Sequence, residues 1–174
     1  MTILKNRPSE LSKEDFLSHF AGIYEHSAWV AELLWSQLEV SIERNCFDSA
    51  AAVASQMKLI VNTAQSEQQL ALLRAHPDLA GKAALAGELT DDSSKEQAGL
   101  GLDQCSPVEL VKFQQLNTEY QSKFGFPFIM AVKGATKEQV IAGFESRIHN
   151  STTEEFQRAI NEVHKIAAFR LAEK

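Results

Sequence analysis

Apolar residues recur along this chain at three- and four-residue spacing and almost nowhere in strict alternation, a pattern that predicts helices nearly throughout. Ser12 with Asp15 resembles a capping box, Asp standing in for Glu or Gln, ahead of Phe16, Leu17, Phe20, Ile23 and Tyr24. A second helix carries Trp29, Val30, Leu33, Leu34 and Trp35, with both tryptophans expected in the core. Asp48 stands where it can cap an Ala-rich helix running through Val53, Met57, Ile60 and Val61. Ser66 with Gln69 marks a further start before Leu70 and Leu73. Ser106, Pro107 and Glu109 combine a cap, a proline at the first helical position and an acid at the third; this helix should run to about Phe124, where Gly125 stops it. Thr136 with Gln139 opens the next helix, through Val140, Phe144 and Ile148. Thr152 with Glu155 opens the last, through Phe156, Ile160, Val163 and Ala167.

The breaks in this pattern are as informative as the helices. Only residues 126–132 have strand-like composition, and Pro127 interrupts them. Residues 87–105, with Gly87, Gly99 and Gly101, read as a long loop holding one short helix, and long loops in compact domains are often functional. The expectation is an all-α chain forming one domain, a bundle of about seven to nine helices.

Composition fits that picture. The 174 residues are 44% hydrophobic and 23% charged, as in an ordinary soluble domain with one sizeable core. The formal net charge of −6, with no cluster of Lys and Arg, argues against nucleic acid or an anionic membrane as partner. Residues 1–10 lack the apolar core of a signal peptide, and no apolar run is long enough to span a bilayer. Cys46 and Cys105 lack CxxC spacing and suit a reducing compartment, and the last residues carry no peroxisomal or retention address; the expected location is the cytoplasm.

Four segments carry chemistry. In Arg74-Ala75-His76-Pro77-Asp78-Leu79, Pro77 disfavours helix at His76, so the ring projects from a helix–turn junction, either as a proton carrier or as a cap on helix carbonyls. In Ser93-Ser94-Lys95-Glu96-Gln97, Ser93 and Glu96 form a capping box or, since Gly99 and Gly101 cut that helix short, part of a site. Phe124-Gly125-Phe126-Pro127-Phe128-Ile129 is either a packed linker or non-helical backbone whose N–H and C=O groups meet a small polar ligand. Arg147 is either a cation near a helix C-terminus or a fork for a carboxylate or ureido group. His19, His26, His149 and His164 show no metal-ligand spacing, HExxH is absent, and no phosphate loop, GxSxG or dinucleotide fingerprint occurs.

Taken in order, His76-Pro77-Asp78-Leu79-Ala80, Ser93-x-x-Glu96-Gln97 and Gly125-Phe126-Pro127-Phe128-Ile129 resemble the motif set of the 2-oxo-4-hydroxy-4-carboxy-5-ureidoimidazoline (OHCU) decarboxylases. The likeness extends from the helix near Trp29 to Arg170. It implies an all-helical enzyme of urate breakdown that releases CO2 and makes (S)-allantoin without metal or organic cofactor. It puts the catalytic histidine at His76 and substrate contacts at Pro77, at Ser93, Glu96 and Gln97, and along the backbone of Phe126, Pro127, Phe128, Ile129 and Met130. His76 and Glu96 are the expected catalytic pair. Arg147 is the best match to a substrate-binding arginine, with Arg158 close behind it. The resemblance further implies a stand-alone form and a homodimer. Two other readings remain open: a helical protein-interaction module, which leaves the co-occurrence of the motifs unexplained, and a metal-dependent hydrolase built on His76 and scattered carboxylates, which ligand spacing does not favour.

Overall fold

The structure is a computed structural model that describes residues 3–79, 89–102 and 105–174. Among these residues it is all-α: eight α-helices, two short 3-10 turns, and no strand beyond an isolated bridge between Ile3 and Ser49. The chain divides into two compact units, Met1–Ala75 with His164–Lys174, and His76–Val163.

The first unit holds α1 (Lys13–Phe20), α2 (Trp29–Val40), α3 (Ala50–Thr63), α4 (Ser66–Arg74) and the end of α8 (Thr152–Ala172). Its core joins Phe16, Phe20, Leu34, Leu38, Val53, Met57 and Val61, all essentially inaccessible. Trp35 packs its ring 5.4 Å from Phe16, as the periodicity predicts, whereas Trp29 is only half-buried. Ser12 caps α1 as expected, its Oγ accepting from the Asp15 amide. Two other caps are corrected. Ser49, not Asp48, caps α3, because the Asp48 carboxylate accepts from Ser9 N at 2.9 Å and Ser9 Oγ at 2.7 Å. Ser66 is the first residue of α4 rather than its cap, and Gln69 reaches back to the Val61 carbonyl at 2.8 Å. Behind α8, the Tyr24 hydroxyl meets His164 Nδ1 at 2.8 Å and His164 Nε2 meets Asn62 Oδ1 at 2.9 Å. The only tautomer that serves both bonds carries its proton on Nε2, since Asn62 Oδ1 can only accept. Arg170 and Glu25, both buried, pair at 3.1 Å.

The second unit holds α5 (Asp91–Gly99), α6 (Pro107–Phe124), α7 (Lys137–Arg147) and the start of α8. Ser106 and Glu109 form the expected reciprocal capping box on α6, and Thr136 with Gln139 does the same for α7. Lys137 reaches Glu109 at 2.6 Å; that bond, reinforced by the Ser106 cap, pulls the Glu109 carboxyl down to about 2. Gly125 ends α6 with φ +78°, the left-handed conformation that glycine tolerates without strain. The α8 start is corrected by one residue. Ser151 and Glu154 cap each other, Glu154 N donating to Ser151 Oγ and Ser151 N to Glu154 Oε2, which leaves Glu155 for other work. The core here is aromatic: Phe113, Tyr120, Phe124, Phe126, Phe128 and Phe144 interlock, Phe128 stacking on Phe144 at 3.8 Å.

Candidate active site

Every residue expected at the site lies in the second unit. α4 ends at Arg74 with Ala75 as its C-cap, immediately before His76, so the chain leaves the helix where Pro77 requires. His76, Pro77 and Asp78 are half-buried in an irregular turn, and Leu79 inserts into the core.

Helix α5 resolves the ambiguity over Ser93. Thr90 is the cap, its side chain accepting from Ser93 N at 3.3 Å. The Ser93–Glu96 pair therefore lies inside the helix rather than at its start, and the capping-box reading of those residues falls. Ser93 and Gln97, one turn apart, face inward and are buried, and Glu96 is half-buried beside them. Gln97 Nε2 donates to the Asp78 carbonyl at 3.2 Å, which ties this face of α5 to the turn that follows His76.

Residues 126–130 run as non-helical backbone through the aromatic core. Phe126, Pro127, Phe128 and Ile129 are buried and Met130 half-buried. Segments of this kind need partners for their polar groups. Two are met within the protein: Arg147 Nη1 donates to the Ile129 carbonyl at 2.7 Å, and the Ala131 amide donates to Glu162 Oε2 at 2.9 Å. Close packing comes from Gly143 on α7, where a Cβ would stand 3.2 Å from the Phe128 ring and 3.3 Å from the Met130 sulfur.

Arg147 is the residue whose surroundings differ most from expectation. It is buried, and each guanidinium nitrogen is engaged inside the protein. Nε donates to Glu155 Oε1 at 2.8 Å, Nη2 to the same oxygen at 2.5 Å, and Nη1 to Ile129. The guanidinium carbon sits 4.4 Å from the centre of the Phe128 ring, a cation–π contact. Glu155, wholly inaccessible, also accepts from the Tyr120 hydroxyl and from Asn150 Nδ2 at 2.7 Å. Burial first, and then the bond to Glu155, drives the Tyr120 phenol well above its ordinary range, so it stays protonated and donating. Arg158, the other arginine considered, is exposed and bridges to Glu162 at 3.2 Å.

Helix α6 carries residues that motif reading missed. Asn117, Tyr120, Gln121 and Phe124 fall at helical spacing on one side. Asn117 and Gln121 bond to Leu79 and Asp78, while the Tyr120 ring packs against Phe126 and Phe128. One helix thus touches both the His76 turn and the 126–130 segment. The signal was a polar Asn within an otherwise aromatic stripe of Phe113, Tyr120 and Phe124. Ala80, the last residue of the first motif, lies outside the described residues, and among those described no group of three or more His, Cys, Asp or Glu is arranged to hold a metal.

The family model described as OHCU decarboxylase matches residues 9–172. The chain is 43% identical over 166 residues to the 2-oxo-4-hydroxy-4-carboxy-5-ureidoimidazoline decarboxylase of Haloferax volcanii, covering 95% of this chain and 92% of the relative. It is 42% identical over 165 residues to the protein of the same name from Halalkalicoccus jeotgali, covering 95% and 88%. Among solved structures it resembles an (S)-allantoin synthase with a TM-score of 0.73 and 37% identity over 95% of this chain, which spans about half (51%) of that longer protein. With a family model matching residues 9–172 and relatives more than 40% identical over 95% of its length, the chain belongs to the OHCU decarboxylase family.

Proposed function

We propose that this chain removes CO2 from 2-oxo-4-hydroxy-4-carboxy-5-ureidoimidazoline and yields (S)-allantoin in urate degradation, with His76 and Glu96 as its catalytic pair. The decarboxylase activity follows from the family. The assignment of residues rests on one observation: the bond from Gln97 to the Asp78 carbonyl, which draws the inward face of α5 to the His76 turn.

The substrate supplies its own electron sink, so neither metal nor organic cofactor is needed. As the bond to CO2 breaks, its electron pair moves toward the neighbouring ureido-bearing carbon, and the pair of that carbon's C=N bond shifts to nitrogen, which takes a proton. The ureido-bearing carbon then gains a proton while the hydroxyl loses one and becomes the carbonyl. The face of protonation fixes the product's handedness. His76 moves protons in this sequence, and Glu96 orients it or holds the substrate hydroxyl. Pro77, Ser93, Gln97 and the 126–130 backbone confine the ring and ureido arm. Arg147 contributes by fixing Ile129 within that backbone rather than by clamping the substrate itself. We further place the enzyme in the cytoplasm, in keeping with its acidic charge, and as a homodimer, as the family resemblance implies.

The test is His76→Asn, which keeps a polar side chain of similar reach but cannot transfer a proton near neutral pH. With freshly generated substrate, followed by the circular dichroism of allantoin, the rate should fall by ~10²–10⁴-fold with little change in melting temperature. Loss of fold, with the remaining folded fraction fully active, would make His76 a structural cap.

A further inference from the structure

The turn that carries His76 is held by three amide side chains. Gln97 on α5 donates to the Asp78 carbonyl at 3.2 Å. On α6, Asn117 Nδ2 donates to the Leu79 carbonyl at 2.8 Å, and Gln121 Nε2 donates to the Asp78 carboxylate. Asn117 and Gln121 stand four residues apart, so both project from the same side of α6. Asn117 is 5% exposed, and its Oδ1 meets no hydrogen-bond partner among the described residues. Burial penalises an unmet acceptor, and an apolar residue here would simply continue the stripe of Phe113, Tyr120 and Phe124. The one thing an apolar residue would lose is the bond to Leu79. Gln121 supplies a charge-assisted bond to the neighbouring residue from an exposed position, where packing makes no demand on it.

We propose that Asn117 and Gln121 are positioning residues for the decarboxylation: they fix the Asp78–Leu79 backbone and, through it, the ring of His76. This deepens the proposed function and rests on His76 as the proton carrier. A general acid or base works only within hydrogen-bond reach, and a displacement of about 1 Å far from the chemistry can lower rates by ~10²-fold.

The experiment compares variants at both positions under steady-state conditions with freshly generated substrate. Asn117→Leu keeps the branching at Cγ and exchanges the unmet acceptor for a Leu79 carbonyl without its donor, so its melting temperature should stay near or modestly below that of the parent, while kcat falls by roughly 10–100-fold with KM changed by less than about two-fold. Gln121→Ala should lower kcat by about 3–10-fold. Gln121→Lys, which again donates to the Asp78 carboxylate, should recover most of that loss; Gln121→Glu, which repels it, should not. In a His76→Asn background, Gln121→Ala should change the residual rate by less than about two-fold, because residues acting through one another are non-additive. Parental kcat in both Asn117→Leu and Gln121→Ala overturns the proposal. So does equal activity of the Lys and Glu variants, or an unchanged Gln121→Ala effect without His76. If Asn117→Leu does not fold, the Gln121 series decides alone. A fully active His76→Asn sinks the proton-carrier assignment and this inference with it. An inactive His76→Asn beside silent Asn117 and Gln121 variants overturns the clamp and leaves the assignment standing.

Discussion

The pairing of Arg147 with Glu155 makes a quantitative demand on stability. Arg147→Met removes the fork and leaves the Glu155 carboxylate, which has no solvent access, with Tyr120 and Asn150 as its side-chain partners among the described residues. Breaking a buried ion pair by deleting one partner costs about 3–5 kcal/mol. The Ile129 carbonyl also loses its donor, at about 1–3 kcal/mol, and Phe128 its cation, but these losses share one cause and do not add. The expected total is therefore roughly 3–5 kcal/mol, or for a chain of 174 residues a melting temperature lower by roughly 6–20 °C. The assay is urea unfolding of the parent, Arg147→Met, Glu155→Gln and the double variant, read as a double-mutant cycle. The double variant should lose much less than the sum of the single variants, since neither charge is then stranded. Arg158→Lys, on an exposed side chain, is the control and should stay within about 0.5 kcal/mol. A loss under about 1 kcal/mol for Arg147→Met, or no coupling to Glu155, would refute the reasoning. Unchanged stability with weakened substrate binding would return Arg147 to the direct clamp expected from sequence.

Two further predictions concern packing and protons. Gly143→Ala gains up to ~1 kcal/mol of helix propensity but drives a methyl against a Phe128 ring that is already stacked on Phe144 and covered by Arg147; overpacking of about 1–3 kcal/mol should win, giving a net loss near 1 kcal/mol in urea unfolding, and a stabilised variant would show that the ring has room to move. His164, itself buried, lies between buried Tyr24 and exposed Asn62, where burial first and then the nearby Lys58 charge lower its pKa to about 4. Because the folded value is depressed, the unfolded chain takes up this proton first as pH falls. The stability it supports is present above about 6.5 and is lost between there and about 4, some 2 kcal/mol of it from pH 7 to 5. Urea unfolding at those two pH values should show this difference in the parent and a smaller one in His164→Asn; equal differences would refute it.

What the sequence disclosed and what it withheld follow from the range of the forces involved. Helical periodicity and the caps at Ser12, Ser106 and Thr136 were legible because a cap and its amide lie three residues apart. The start signals that failed have a common cause. Asp48 was claimed by Ser9, Gln69 by the preceding helix, and Glu155 by Arg147 and Tyr120. Each local cap competed with a tertiary partner, a neighbouring Ser or Thr took over the end of the helix where one was available, and sequence spacing alone could not show which polar group would be drawn inward.

The same competition explains why the motifs marked a candidate site but not the residues that hold its turn. His76-Pro77 and Phe126-Pro127-Phe128 interrupt a helical pattern, and an interruption is visible without knowing what it touches. Asn117 breaks the aromatic stripe of Phe113, Tyr120 and Phe124 without breaking the helix, and with Gln121 four residues on it reads as part of a solvent-facing stripe. Only the fold turns one of them inward to a backbone carbonyl and sets the other beside a carboxylate. Tyr120 lies between them in sequence and carries its hydroxyl to Glu155, so a single side of α6 steadies the His76 turn and reaches the ion pair that fixes Ile129. Displacement of that helix would shift the His76 turn and the 126–130 segment together. The strong start and stop signals at its two ends, Ser106-Pro107 and Gly125, therefore fix the helix that holds the proposed site as well as the fold.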